Sequence, residues 1–169
     1  AYKTAALVSG LVQAGANVSV AMTEAARRFI GPATFEALTG NPVTGGMFAP
    51  GNPLGAHIEL AERAEVFCIA PCTANVMAKA ASGLADELVS TLLLSVDAPI
   101  VLAPAMNCEM WEKPSVQRNL AVLRADGFTI VDPDEGWLSC RKRGVGRMAD
   151  PESIRAAIEE ALQSVAPRR

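Results

Sequence analysis

Aromatic residues are scarce in this chain, at 5% of 169 residues, and histidine occurs only once, at His57. A lone histidine cannot build a histidine-rich metal centre. The four cysteines, Cys68, Cys72, Cys108 and Cys140, form no C-x-x-C pair and no cluster with histidine. A structural zinc site is therefore not expected. No signal-peptide pattern is present, so a disulfide framework is not expected either, and the sequence reads as a reducing, cytoplasmic protein. Apolar runs are short and interrupted, too short to span a bilayer. Positive charge is not in excess: the net charge is −3, which gives no basic face for nucleic acid. The expected partners are a small molecule and further copies of the chain, with neither nucleic acid nor membrane.

An opening strand is lacking too. The sequence starts inside a helical pattern, "AYKTAALV", with no methionine. A right-handed crossover into the next extended run requires a parallel strand before it. A first strand, and a phosphate-binding turn at the following helix N-terminus, are thus expected to precede Ala1.

Half of the residues are hydrophobic, enough for a substantial core in one domain covering 1–169. Four short apolar runs read as strands buried on both faces: "NVSVAM" at 17–22, "VFCIA" at 66–70, "PIVLA" at 99–103 and "FTIVD" at 128–132. Helical patterns separate them: "KTAALVSGLVQAG", "TANVMAKAASG", "ADELVSTLLLS" and "SVQRNLAVLRADG". A last one, "DPESIRAAIEEAL", has Asp150 or Ser153 as candidate cap. Alternation of this kind implies an α/β fold with a doubly wound parallel sheet in three α/β/α layers. Two Gly- and Pro-rich segments, "TGNPVTGGMFAPGNPLGAH" and "DPDEGWLSCRKRGVGR", read as long loops of the sort that carry function.

Candidate site residues follow the ends of these strands, where ligands bind in open α/β sheets. Thr73 and Asn75 open a helix in "APCTANVMAKAASGLADEL". Free N–H groups there, with a hydroxyl and an amide, suit an anion or the polar edge of a cofactor, although Thr73 serves equally as a helix cap. Thr23 in "VAMTEAARRF" has the same two uses. His57 opens the amphipathic stretch "GAHIELAERAE" and is a capping residue or a proton carrier. In "PAMNCEMW", Asn107 is either the cap of the next helix or a neutral donor to a substrate carboxylate. Cys140 lies among four basic residues in "EGWLSCRKRGVGRM", where cations favour the thiolate and a loop is able to close over a ligand.

In their order, "AYK", "VAMTEAARRF", "HIEL", "APCTANVMAKAASGLADEL", "PAMNCEMW" and "GWLSCRKRGVGR" resemble the flavin-containing cysteine decarboxylases, from Ala1 to about Met148. The resemblance implies a flavodoxin-like fold, FMN as cofactor, and trimers or dodecamers with sites between subunits. It implies FMN contacts at Thr23, Thr73, Ala74, Asn75, Val76 and Ala105. His57 matches the active-site histidine, Asn107 the carboxylate-binding asparagine with Met110 beside it, and Cys140 the thiol of a clamp over the substrate. The implied substrate is 4′-phosphopantothenoylcysteine of coenzyme A biosynthesis, with functional coupling to phosphopantothenoylcysteine synthetase. Peptidyl-cysteine decarboxylases of lantibiotic maturation lack the clamp cysteine, so Cys140 favours the former. A non-catalytic flavin-binding regulator is the further alternative. Three positions depart from the family: Arg141 replaces glycine, Cys72 a small residue, and Val76 a threonine, which leaves only backbone contact at Val76.

Overall fold

The structure, a computed structural model, describes residues 1–47 and 55–164, which fall into two compact units. The first comprises Ala1–Ala64 and Ala85–Asp97, the second Glu65–Leu84 and Ala98–Arg169.

In the first unit, α1 (Tyr2–Gln13) packs on α2 (Pro32–Thr39), and α3 (Ala56–Arg63) on α5 (Leu88–Ser95). Val8, Met22 and Phe35 form a small core that Val12, Val20, Leu38 and Val43 surround. Pro32 at the first position of α2 and left-handed Gly40 at its end bound a helix that the sequence patterns do not mark. Glu87 opens α5 through a reciprocal capping box with Ser90. The strand expected at 17–22 is not a strand. This segment is extended, but among the described residues its only bridge is Ala21 with Thr44, fixed by Met22 N–H to Thr44 O (3.2 Å) and Thr44 N–H to Val20 O (2.9 Å). β-branched composition gives extended backbone; a strand also needs a neighbour along its length.

In the second unit the parallel sheet is as expected in class, with order β1 (Phe67–Cys72), β2 (Ile100–Pro104), β3 (Thr129–Ile130). Phe67 lies opposite Ile100 and Leu102 opposite Ile130, with a register slip in β1 between Ile69 and Cys72. Val101, Leu102 and Ala103 of β2 are inaccessible to solvent, which accounts for their unbroken apolar run. Helix α4 (Ala74–Ser82) follows β1, while α6 (Cys108–Trp111) and α7 (Pro114–Ala125) connect β2 to β3. Helix α4 packs on α7, and α8 (Pro151–Ser164) packs on β2 through buried Ile154 and Ile158. Asp150 immediately precedes α8, whereas Ser153 lies in its first turn.

The segment 132–147, expected to be a loop, contains an antiparallel hairpin of β4 (Asp134–Trp137) and β5 (Arg143–Arg147). Three glycines and four basic residues hide the strand signal there, since neither type favours strands. Of the other expected loop, residues 48–54 lie outside the described residues. No helix among the described residues is long and apolar enough to cross a membrane.

Candidate functional site

The carboxyl ends of β1 and β2 bring together most of the candidate residues of the second unit. After Cys72 the chain enters α4, capped by the Thr73 hydroxyl, which accepts from Val76 N–H (3.4 Å). The N–H groups of Ala74 and Asn75 are the orphan donors that a helix start leaves. Thr73 and Asn75 are both exposed, so an anionic or polar ligand edge has access to them. Val76 is buried and its N–H is already engaged by Thr73. Ala105 N–H donates to Cys72 O (3.0 Å), which places Ala105 beside the start of this segment. Exposed orphan donors at a strand end fit the polar edge of a flavin.

Asn107 caps α6: its Oδ1 accepts from Glu109 N–H (2.9 Å) and from the Cys108 thiol (3.4 Å). The capping role is therefore real, and it decides which end of the amide is left over. With Oδ1 committed to the helix, Nδ2 is left as a donor with no partner among the described residues. Met110, one turn on, is 45% exposed.

The Cys140 hairpin lies against this turn. Met106 N–H donates to Gly146 O (2.9 Å), so consecutive amides of the turn bind β1 on one side and β5 on the other. Gly146 has φ +152°, and a β-carbon there would stand 2.2 Å from Met106 O; one on Gly144 would stand 2.9 Å from Cys108 Cβ. Only glycine permits so close an approach. At the tip, Leu138 N–H donates to Lys142 O and Arg141 N–H to Leu138 O, both at 2.9 Å. Ser139, Cys140 and Arg141 thus form a tight loop, with Cys140 exposed. Arg141 takes φ +60°, the left-handed conformation natural to glycine.

Charge at the hairpin is mostly paired. Lys142 binds Glu109 of α6, Arg143 lies 3.5 Å from Glu135, and Arg147 lies 3.7 Å from Asp134. The hydrogen bond from Lys142, then its charge, hold the Glu109 carboxyl below its ordinary range, and the same bond raises Lys142. Burial pushes the Cys68 and Cys72 thiols up to about 12, which leaves them inert beside the exposed Cys140. Sequence reading does not single out Glu109, Lys142, Gly144 or Gly146. The available signal is the i, i+2 glycine spacing in "RGVGR", which puts both glycines on one face of a strand.

Thr23 and His57 belong to the first unit. The Thr23 hydroxyl accepts from Ala26 N–H (3.1 Å) and so starts the short helical turn Ala26–Arg28. His57 is half-buried near the start of α3, and its Nδ1 is buried with no hydrogen-bond partner among the described residues. A buried imidazole nitrogen without a partner is costly unless a ligand or another group completes it.

The sequence profile of the family described as Flavoprotein matches residues 1–163. The coenzyme A biosynthesis bifunctional protein CoaBC of Bacillus subtilis (strain 168) is 48% identical over 154 residues, covering 90% of this chain. The protein of the same description from Escherichia coli (strain K12) is 44% identical over 155 residues, or 91% of this chain. The chain spans only 38% of the length of each of these relatives. Among solved structures, a PPC decarboxylase mutant complexed with pantothenoylaminoethenethiol superposes with a TM-score of 0.82 at 29% identity, covering 95% of this chain and 93% of that one. The FMN-dependent cysteine decarboxylase SpaF gives a TM-score of 0.79 at 37% identity, with 95% and 89% covered.

Proposed function

The chain belongs to the Flavoprotein family, and from that premise we propose that it decarboxylates 4′-phosphopantothenoylcysteine to 4′-phosphopantetheine with FMN as cofactor. The observation that carries this reading is the Asn107 turn: an amide with its oxygen tied to the helix and its nitrogen free, docked against a hairpin whose tip is an exposed cysteine. The names of the coenzyme A biosynthesis relatives and of the PPC decarboxylase structure support the substrate.

An acylated cysteine carboxylate does not lose carbon dioxide unaided, because the electrons left on its α-carbon have nowhere to go. When bound, FMN would supply a reversible hydride acceptor, so that the carbon bearing sulfur could become a thioaldehyde that takes up those electrons. The protein provides the rest. Thr73, Ala74, Asn75 and Ala105 would hold the cofactor at the strand ends, and the resemblance adds Thr23; the Val76 N–H is taken by Thr73. His57 takes the substrate thiol proton; an imidazole nitrogen without a partner is suited to that role. The Asn107 Nδ2 holds the carboxylate, aided by Met110. A neutral donor orients this group without the strong attraction of a cation, which would oppose its departure as carbon dioxide. The Cys140 thiol then supplies the proton that accompanies re-reduction. No net redox change results, so no external reductant is consumed.

As further parts of this proposal, the protein acts in the cytoplasm as a trimer or dodecamer and shares its pathway with a phosphopantothenoylcysteine synthetase. The test is Cys140→Ser in the FMN-loaded protein. Carbon dioxide should be released while 4′-phosphopantetheine fails to form and the flavin's visible absorbance stays bleached. A normal product yield from that variant would remove Cys140 from the reductive step. A peptidyl-cysteine substrate is the alternative reading that the family resemblance leaves open. Turnover of a peptide ending in cysteine, with none of 4′-phosphopantothenoylcysteine, would decide for it.

A further inference from the structure

The hairpin of β4 and β5 has two unlike faces. Gly136 lies opposite Gly144, and these two, with Gly146, bear no side chain. Gly144 and Gly146 face Cys108 and the Met106 backbone at distances that exclude a methyl group, and Gly136 leaves room for the Arg147 guanidinium, 3.2 Å from where a β-carbon would stand. The other face carries Trp137, 69% exposed, with Val145 and the Arg143–Glu135 pair. One face is therefore shaped for close approach to the asparagine turn.

Towards the tip this glycine seam ends, and a different contact takes over. Lys142, two residues beyond Cys140, forms an ion pair with Glu109, which lies two residues beyond Asn107. The same Glu109 supplies the backbone N–H that fixes Asn107 Oδ1. Its backbone thus orients the amide while its side chain reaches the clamp.

We infer that the Lys142–Glu109 pair is a latch that sets the Cys140 tip over the Asn107 turn, so that both are positioning residues for the re-reduction step. The inference rests on the reading of Cys140 given above. An exposed pair is worth little as a source of global stability; here the side chains are 58% and 60% exposed. It need only bias a three-residue tip, which two backbone hydrogen bonds close on themselves but do not tie to α6. A weak contact is suited to a clamp that must also open to release product. The glycine seam supplies the permanent attachment, and the latch supplies the reversible one. Because the pair is solvated, salt should loosen it.

The test uses FMN-loaded protein with Glu109→Gln, Lys142→Gln, Lys142→Arg and the charge-swapped double variant Glu109→Lys/Lys142→Glu. The first readout is hydrogen exchange of the Leu138 amide in the absence of substrate, since this amide bonds to the Lys142 carbonyl at the tip that the latch holds. The second is the ratio of 4′-phosphopantetheine formed to carbon dioxide released. Each Gln variant should exchange roughly threefold to fivefold faster, as expected for loss of an exposed pair, and lose product relative to carbon dioxide by a similar factor. Lys142→Arg and the charge swap should restore both readouts. Wild-type exchange and product ratio in the Gln variants would overturn the latch, as would a charge swap no better than either single change. Failure of the wild-type protein to release carbon dioxide would instead overturn the proposed substrate. The exchange measurement would still decide whether the latch exists.

Discussion

Arg141 holds a left-handed backbone at φ +60°, where a β-carbon crowds the following carbonyl. Replacing it by glycine should stabilise the protein by about 1 kcal/mol, read as a higher urea midpoint at unchanged slope. The turn itself is maintained by the Leu138 and Lys142 backbone bonds. Asn107 offers a sharper separation of roles. Aspartate also caps helices, so Asn107→Asp should preserve α6 while setting a negative charge against the substrate carboxylate. The like-charge cost of several kcal/mol should lower kcat/KM at least about a hundredfold, with far-UV circular dichroism unchanged. The capping role of Asn107 was legible in the sequence because asparagine before a short helical pattern is a favoured N-cap. Glu109 and Lys142 were not, because their pairing joins residues 33 apart, and spacing rules do not reach that far.

At the level of elements, legibility followed the number of neighbours. The runs at 66–70 and 99–103 became strands because each lies beside a parallel partner in a sheet where β2 is covered on both faces. The run at 17–22 has equal β propensity but, among the described residues, bridges only to Thr44. The hairpin went unseen for the opposite reason: its pairing is made by backbone, and its glycines are chosen for closeness rather than for propensity. Strand β1 also carries two thiols whose burial is testable. At mildly alkaline pH, iodoacetamide should label Cys140 first, while Cys68 and Cys72 stay unmodified until denaturant is added, as peptide mass mapping will reveal. Their thiols titrate at about 12 in the folded state, against an ordinary value of 9.0 for a solvated thiol. The folded state favours the protonated form, so this burial costs nothing while the unfolded thiol is also protonated, below about pH 9. Above that, ionisation of the unfolded chain lowers stability progressively as pH rises from 9 towards 12. Alkaline unfolding should therefore move to higher pH in Cys68→Ala.

For the whole molecule, the α/β class with a parallel sheet was legible from the alternation of apolar runs and helical patterns, as was the family from the order of its motifs. Association with its own copies is an expectation that the resemblance implies. The first unit exposes Tyr2 (78%) and Phe29 (82%), and the second exposes Trp137. The proposed association with its own copies would cover side chains of this kind. Sedimentation at micromolar concentration should give a mass three or twelve times that of the chain; a monomer would remove the proposed assembly. The turn at 105–107 has its own consequence for how such a protein diverges. Its two stitches, Ala105 to Cys72 and Met106 to Gly146, are made by main-chain groups alone. Mutational drift in the side chains at 105 and 106 can therefore retune what the turn presents to a ligand without displacing the amide beside it, whereas position 146 has no such freedom.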